Sequence, residues 1–155
     1  MKKKFKEMVK EIGELPVSIL TAPSEPTYSQ YKLICVKNTQ EKGRGVFAKE
    51  DIKAGEIIEE APVLIFQGEA LNHYPLNNYY FRWHNSIGSA TCGALALGYG
   101  SIYNHSYEPN AKYEQIYDQK IIRFIAIKDI EVGNEIIVNY NKDPLDQSKL
   151  WFEAK

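Results

Sequence analysis

Cysteine is scarce. The 155 residues include two, Cys35 and Cys92, far apart and with no Cys-x-x-Cys pair. That spacing excludes a zinc knuckle and a disulfide-stapled scaffold and fits a reducing compartment. The three histidines, His73, His84 and His105, are too scattered to suggest a metal site. An excess of one charge is missing too. The net charge is -1, so nothing pulls the chain as a whole toward nucleic acid or a membrane surface. No apolar run approaches the roughly 20 residues of a membrane span. Lys2, Lys3 and Lys4 resemble the start of a secretion signal. The apolar segment that should follow is interrupted by Lys6, Glu7, Lys10, Glu11 and Glu14, so export by that route is not expected.

Familiar catalytic signatures are also incomplete. Gly43-x-Gly45 is followed by no Gly-Lys-Ser/Thr, so it is not a P-loop. It leads into a strand pattern and lacks the third glycine of a dinucleotide fingerprint. Ser101 or Ser106 with His105 and Asp129 could be imagined as a hydrolase triad. Gly100-Ser101-Ile102, however, lacks the second glycine of a nucleophile elbow.

What remains is a chain of ordinary globular composition, 44% hydrophobic and 25% charged, suited to one domain with a real core. Phe5, Met8, Val9 and Ile12 recur at helical spacing, which predicts a short amphipathic helix over residues 2–14, ended by Pro16. Thr21-Ala22-Pro23-Ser24-Glu25-Pro26 reads as a linker, and the compact domain is expected from about Tyr31. Strand patterns follow at 31–36, after the glycine turn at 42–48, at 56–60 and at 63–66. Residues 67–91 are aromatic and polar and predict mixed, partly irregular structure. A hairpin over 112–117 and 120–127 should turn at Asp118-Gln119, and a last strand should run over 135–140. An internal echo links Asp51-Ile52-x-x-Gly55 with Asp129-Ile130-x-x-Gly133. Both copies read strand, turn, strand, with glycine supplying the left-handed residue. Leu145, Leu150, Trp151 and Phe152 give the tail enough apolar surface to dock.

The stretch from Gly98 to Asn110 fits no regular pattern. It is rich in Gly, Asn, Ser and Pro yet lies between apolar segments, so its backbone must be satisfied by side chains or a ligand. Taken alone it is compatible with a structural loop in which Asn and His cap turns.

The ordered combination is far more specific than its parts. A Gly-x-Gly strand entry and an Asp-Ile-x-x-Gly corner are followed by Gly100-x-x-x-Asn104-His105-Ser106-x-x-Pro109-Asn110. A second corner and Glu135-x-x-x-x-Tyr140 complete it. From about Tyr31 to Tyr140 this resembles the SET domain family of S-adenosylmethionine-dependent protein-lysine methyltransferases, in a minimal form. The resemblance implies a mainly β, β-clip-like fold of small curved sheets, with a knot-like crossing of the Asn104-His105-Ser106 segment and the last strand. It implies an N-terminal helix and linker over 1–28, a SET domain over 29–142 and a tail over 143–155 closing the cofactor site. It also implies S-adenosylmethionine against Arg44, Gly45, Val46, Asn104 and His105, with no metal. Tyr140 matches the catalytic tyrosine and also faces the cofactor, while Tyr113 and Tyr103 line a lysine channel.

Three departures stand out. Asn139 occupies a place often held by Asp, Ser101-Ile102-Tyr103 replaces an Arg-Phe pair, and no cysteine-rich segment follows the domain. Trp151 and Phe152 are expected to cap the cofactor pocket instead. The implied partner is a protein or peptide with an exposed lysine, such as a histone tail or ribosomal protein, with Glu59, Glu60, Glu69, Glu108 and Glu114 available to attract a basic segment. A cytoplasmic location is expected, or a nuclear one for a eukaryotic source. The alternatives are a non-catalytic SET-like module that binds peptide or S-adenosylmethionine, and a structural homodimer joined by the N-terminal helix. Retention of the Tyr140 hydroxyl favours the enzyme.

Overall fold

The computed structural model describes residues 32–67, 76–83, 92–150 and 152. The anticipated N-terminal helix and linker, and Glu69, His73, His84 and Trp151, lie outside the described residues. The chain divides into units Met1–Gln30 and Tyr31–Lys155, and everything below concerns the second.

Nine strands are described: β1 Ile34–Asn38, β2 Arg44–Ala48, β3 Ile57–Gln67, β4 Tyr80–Trp83, β5 Cys92–Ala96, β6 Asn104–His105, β7 Ala111–Ile116, β8 Ile121–Ala126 and β9 Glu135–Val138. They form two sheets, ordered β1-β2-β9-β6 and β4-β5-β3-β8-β7. The alternation in β8 and β9 sends Ile122, Phe124, Ala126, Ile136 and Val138 inward, each at most 1% exposed. They join Val46, Ile52 and Ile130 in one core cluster drawn from both sheets. Burying each large aliphatic or aromatic side chain there is worth about 1.5–3 kcal/mol.

The strand read over 56–60 and that over 63–66 are one element. β3 runs through Pro62, which sits where the strand changes partners. Residues 57–62 pair with β8 and residues 63–67 with β5. A proline there cannot return the bond that its C=O accepts from Leu97 N–H, but this falls at the end of the β5 ladder, and the next amide, Val63 N–H, donates to Lys120 C=O. The first strand is shifted from the expected 31–36 to Ile34–Asn38, with Ile34 in the core.

The internal echo is a structural symmetry. Ile52 and Ile130 exchange both backbone hydrogen bonds at 2.8 Å. Asp51 accepts from Val132 N–H at 2.9 Å, and Asp129 accepts from Ala54 N–H at 3.0 Å. Each corner's aspartate thus caps the other corner's turn. Gly55 and Gly133 hold φ of 91° and 86°, the left-handed region that costs an L-residue about 1–2 kcal/mol.

The polar segment becomes ordered by lying along β9. Asn104 and His105 pair with Ile137 and Val138 in parallel, although only a two-residue strand results. Asn110 then acts as a substitute strand. Its side chain accepts from Ile137 N–H at 2.9 Å and donates to Glu135 C=O at 2.8 Å.

Candidate active site

Two clefts meet at Tyr140. One, of about 530 Å³, is walled by Lys42, Gly43, Arg44, Asn104 and Phe152. The other, of about 690 Å³, is walled by Phe81, Tyr103, Tyr113 and Gln115. Asn78, Tyr79, Ser101 and Tyr140 line both. Volumes of this size suit a small-molecule site.

Tyr140 is held at three groups. Its hydroxyl donates to Tyr103 C=O at 2.8 Å, its N–H donates to His105 Nδ1 at 3.1 Å, and its C=O accepts from the Tyr113 hydroxyl at 3.3 Å. Burial first, then the neighbouring Tyr79 and Glu135, pushes the Tyr140 hydroxyl up to about 12. Burial likewise pushes Tyr113 up to about 12, with Tyr140 and Tyr117 adding to it. Both phenols are therefore neutral at pH 7 and act as hydrogen-bonding groups. Tyr113 packs edge-on against Phe81 with ring centroids 5.0 Å apart. Tyr103 stacks on Phe124 at 4.1 Å. Together these rings make the larger cleft aromatic.

Asn104 donates to Arg44 C=O at 3.1 Å and to Glu135 Oε1 at 2.7 Å, joining β6 to the glycine turn and to β9. Gly45 makes that junction sterically possible. A Cβ there would meet Glu135 Oε1 and come within 2.8 Å of Asn104 Nδ2. Of the Gly43-Arg44-Gly45-Val46 backbone expected against the cofactor, Gly43 and Arg44 line the smaller cleft, joined by Lys42. Val46 is fully buried, its side chain in the core and away from the cleft. Gly43, by contrast, faces open space where a Cβ would stand.

His105 is buried and supports the site from behind. Its C=O accepts from Lys42 Nζ at 3.0 Å. Because Nδ1 accepts from Tyr140, the neutral ring carries its proton on Nε2. That atom is buried without a partner among the described residues. Burial and the Lys42 charge lower the His105 pKa below the ordinary 6.5, opposed in part by the Val138 backbone.

The tail docks through polar anchors. Tyr107 donates to Ser148 C=O at 3.2 Å and accepts from Leu150 N–H at 3.3 Å. Asn139 donates to Asp146 C=O at 2.7 Å while accepting from Asn141 N–H. An aspartate at 139 could do the second but not the first, which accounts for the departure there. Phe152 reaches the rings of Tyr140 and His105 at 6.2 and 6.4 Å.

Sequence reasoning missed Glu59, which it took for a surface acid. Glu59 is 3% exposed. It accepts from the Tyr103 hydroxyl at 3.0 Å and from Tyr99 N–H at 2.9 Å. The strand irregularity between Ile57 and Glu59 turns Ile58 and Glu59 inward together, so simple alternation misassigns the face. Of the other acids expected to draw in a basic peptide, Glu60 is paired with Arg123 and Glu114 with Lys112.

The smaller cleft suits S-adenosylmethionine by its donor set. Asparagine and serine groups can meet a nucleoside's polar edges, Lys42 and Arg44 a carboxylate, and the Tyr140 and Phe152 rings a sulfonium. Comparison with known proteins agrees with the geometry. A family model described as "SET domain" matches residues 43–141. A histone-lysine N-methyltransferase of Schizosaccharomyces pombe, specific for H3 lysine-37, is 34% identical over 76% of this chain and 76% of its own length. A human histone-lysine N-methyltransferase specific for H3 lysine-36 is 26% identical over 77% of this chain, which spans only 5% of that protein. Among solved structures, a Plasmodium falciparum protein proposed to be a histone methyltransferase aligns with a TM-score of 0.55 and 31% identity, over 69% of this chain and 91% of its own. Two clefts sharing one tyrosine, the ordered motifs and these relatives agree: the chain belongs to the SET domain family.

Proposed function

We propose that this chain transfers a methyl group from S-adenosylmethionine to the side-chain amine of a lysine on a protein substrate, with Tyr140 as the catalytic residue. The observation that carries the site assignment is Tyr140, which lines both clefts and whose hydroxyl is anchored on Tyr103 C=O. In this reading Lys42, Gly43, Arg44, Asn104 and Phe152 hold the cofactor, and Tyr113, Tyr103 and Phe81 surround the lysine stem.

S-adenosylmethionine, when bound, supplies an activated methyl on a sulfonium. The chain's own residues must align the amine and dispose of its proton. A free lysine has a pKa of about 10.4, so most of it is unreactive at neutral pH. Aromatic, poorly hydrated walls destabilise the ammonium and favour the free amine. Tyr140, pushed up to about 12, is too weak an acid at pH 7 to serve as a phenolate base. Its hydroxyl donates to Tyr103 C=O, so toward an incoming amine it acts as an acceptor that orients the nitrogen. The edge strand β4 contributes Tyr80, Phe81 and Arg82 to the larger cleft, where an extended peptide could add as a further strand.

The names of the relatives support a histone as the substrate and favour a nuclear location over the cytoplasmic one expected from the sequence. The experiment is calorimetric titration of S-adenosylmethionine into wild type and Tyr140→Phe, paired with mass spectrometry of basic proteins incubated with each. The expected result is equal cofactor binding, methyl additions by wild type, and a loss of at least ~100-fold in the mutant. Cofactor binding with full activity in Tyr140→Phe would remove Tyr140 from its role. Binding without transfer by wild type would return the non-catalytic module.

A further inference from the structure

The larger cleft carries charge of one sign. Its lining includes three basic residues, Arg82, Lys142 and Lys149. Lys42 and Arg44 play the same part in the smaller cleft. No aspartate or glutamate lines either cleft among the described residues. In a chain with 20 acidic and 19 basic residues, acids would be expected there as often as bases. Arg82, Lys142 and Lys149 are exposed, and none is ion-paired among the described residues. The nearby acids Asp143, Asp146 and Glu114 do not line the cleft and are engaged locally. Asp143 accepts from Leu145 N–H, Asp146 accepts from Ser148 N–H, and Glu114 pairs with Lys112.

We propose that the lysine this site accepts, on a histone or on another protein, is one flanked by acidic residues rather than one set in a uniformly basic stretch. The inference rests on the larger cleft being the substrate side, as proposed above, and narrows that reading to a class of sequence. A peptide whose neighbours are Asp or Glu meets complementary charge from β4 on one side and from the tail on the other. A peptide rich in Lys and Arg meets like charge, which is a strong discriminator at an interface. The contribution is electrostatic and exposed, so it must shrink as salt rises, since the screening length falls from about 10 Å at 0.1 M to about 3 Å at 1 M.

The test uses the full chain and three labelled peptides with one central lysine, flanked by Glu/Asp, by Ala/Gly or by Lys/Arg. Binding is read by fluorescence anisotropy at low and high salt, and methyl transfer is read in parallel by mass spectrometry. The expected result is a dissociation constant about tenfold lower for the acid-flanked peptide than for the basic one at low salt, converging at high salt. The charge-reversed variant R82E/K142E/K149E should invert the ranking while melting like wild type, because all three side chains are exposed. Equal or tighter binding of the basic peptide, or an unchanged ranking in the variant, overturns the inference and leaves methyl transfer intact. The acid preference without transfer to any peptide upholds the inference and removes the methyltransferase reading.

Discussion

The two Asp-Ile-x-x-Gly corners and the segment from Tyr99 to Asn110 are both irregular chain, and they satisfy their polar groups in opposite ways. The corners serve each other. Asp51 caps one turn, Asp129 caps the other, and Ile52 and Ile130 bridge between them. The Tyr99–Asn110 segment depends on distant strands instead. Glu59 of β3 holds Tyr99 and Tyr103, Asn110 stands in for a strand along β9, and His105 receives Tyr140 N–H. A repeated, self-capping turn makes a frame. A segment tied mainly to other elements can present Asn104 and the Tyr103 carbonyl to a ligand while staying ordered.

Breaking the second arrangement should cost most. Asn110→Ala strands Ile137 N–H and Glu135 C=O, a loss of about 2–4 kcal/mol that denaturant titration would register. A midpoint equal to wild type would mean that the segment does not rely on β9. Two glycine substitutions sharpen the contrast. Gly45→Ala drives a methyl into the Asn104–Glu135 junction and should cost about 1–3 kcal/mol together with cofactor affinity. Gly133→Ala meets nothing within 4 Å and should cost about 1–2 kcal/mol of backbone strain with cofactor binding intact. If calorimetry shows equal cofactor affinity in the two mutants, the frame and the site are not separable.

The acid limb of stability belongs to the site segment as well. With its folded pKa below 6.5, His105 resists protonation that the unfolded chain accepts. Its contribution is fully present above about pH 6.5 and is lost as pH falls through the lowered folded value. His105→Gln should flatten that limb in melts taken across pH 4–7, and an unchanged slope would assign it to other groups. The smallest expected effect on stability is that of Tyr113→Phe, which removes one long bond to Tyr140 C=O. Relief of crowding should shift products toward higher methylation. An identical distribution of mono-, di- and trimethyl-lysine would refute that role.

Legibility followed the length scale of the interactions. The hairpin of β7 and β8, the glycine turn into β2 and both corners were readable because propensity, alternation and turn chemistry all act within a few residues. β3 was read as two strands because Pro62 looks like a terminator until its change of partner is known. Glu59 looked like a solvated acid because a local irregularity reverses its face. Lys42 was not singled out because the Gly-x-Gly pattern says nothing of the residue before it, yet it lines the smaller cleft and donates to His105 C=O.

By itself, the order of short motifs established the family, the mainly β fold and Tyr140 as the residue to watch, since each motif is a local chemical requirement written in consecutive residues. Tertiary structure decided what the motifs adjoin. It brought Glu59, Asn110 and the tail to the segment around Asn104 and His105, and it opened two clefts on one tyrosine. It also gathered Arg82, Lys142 and Lys149 around one of those clefts. These are relations between side chains far apart in sequence, and no local pattern carries them because the fold alone sets the distance between them.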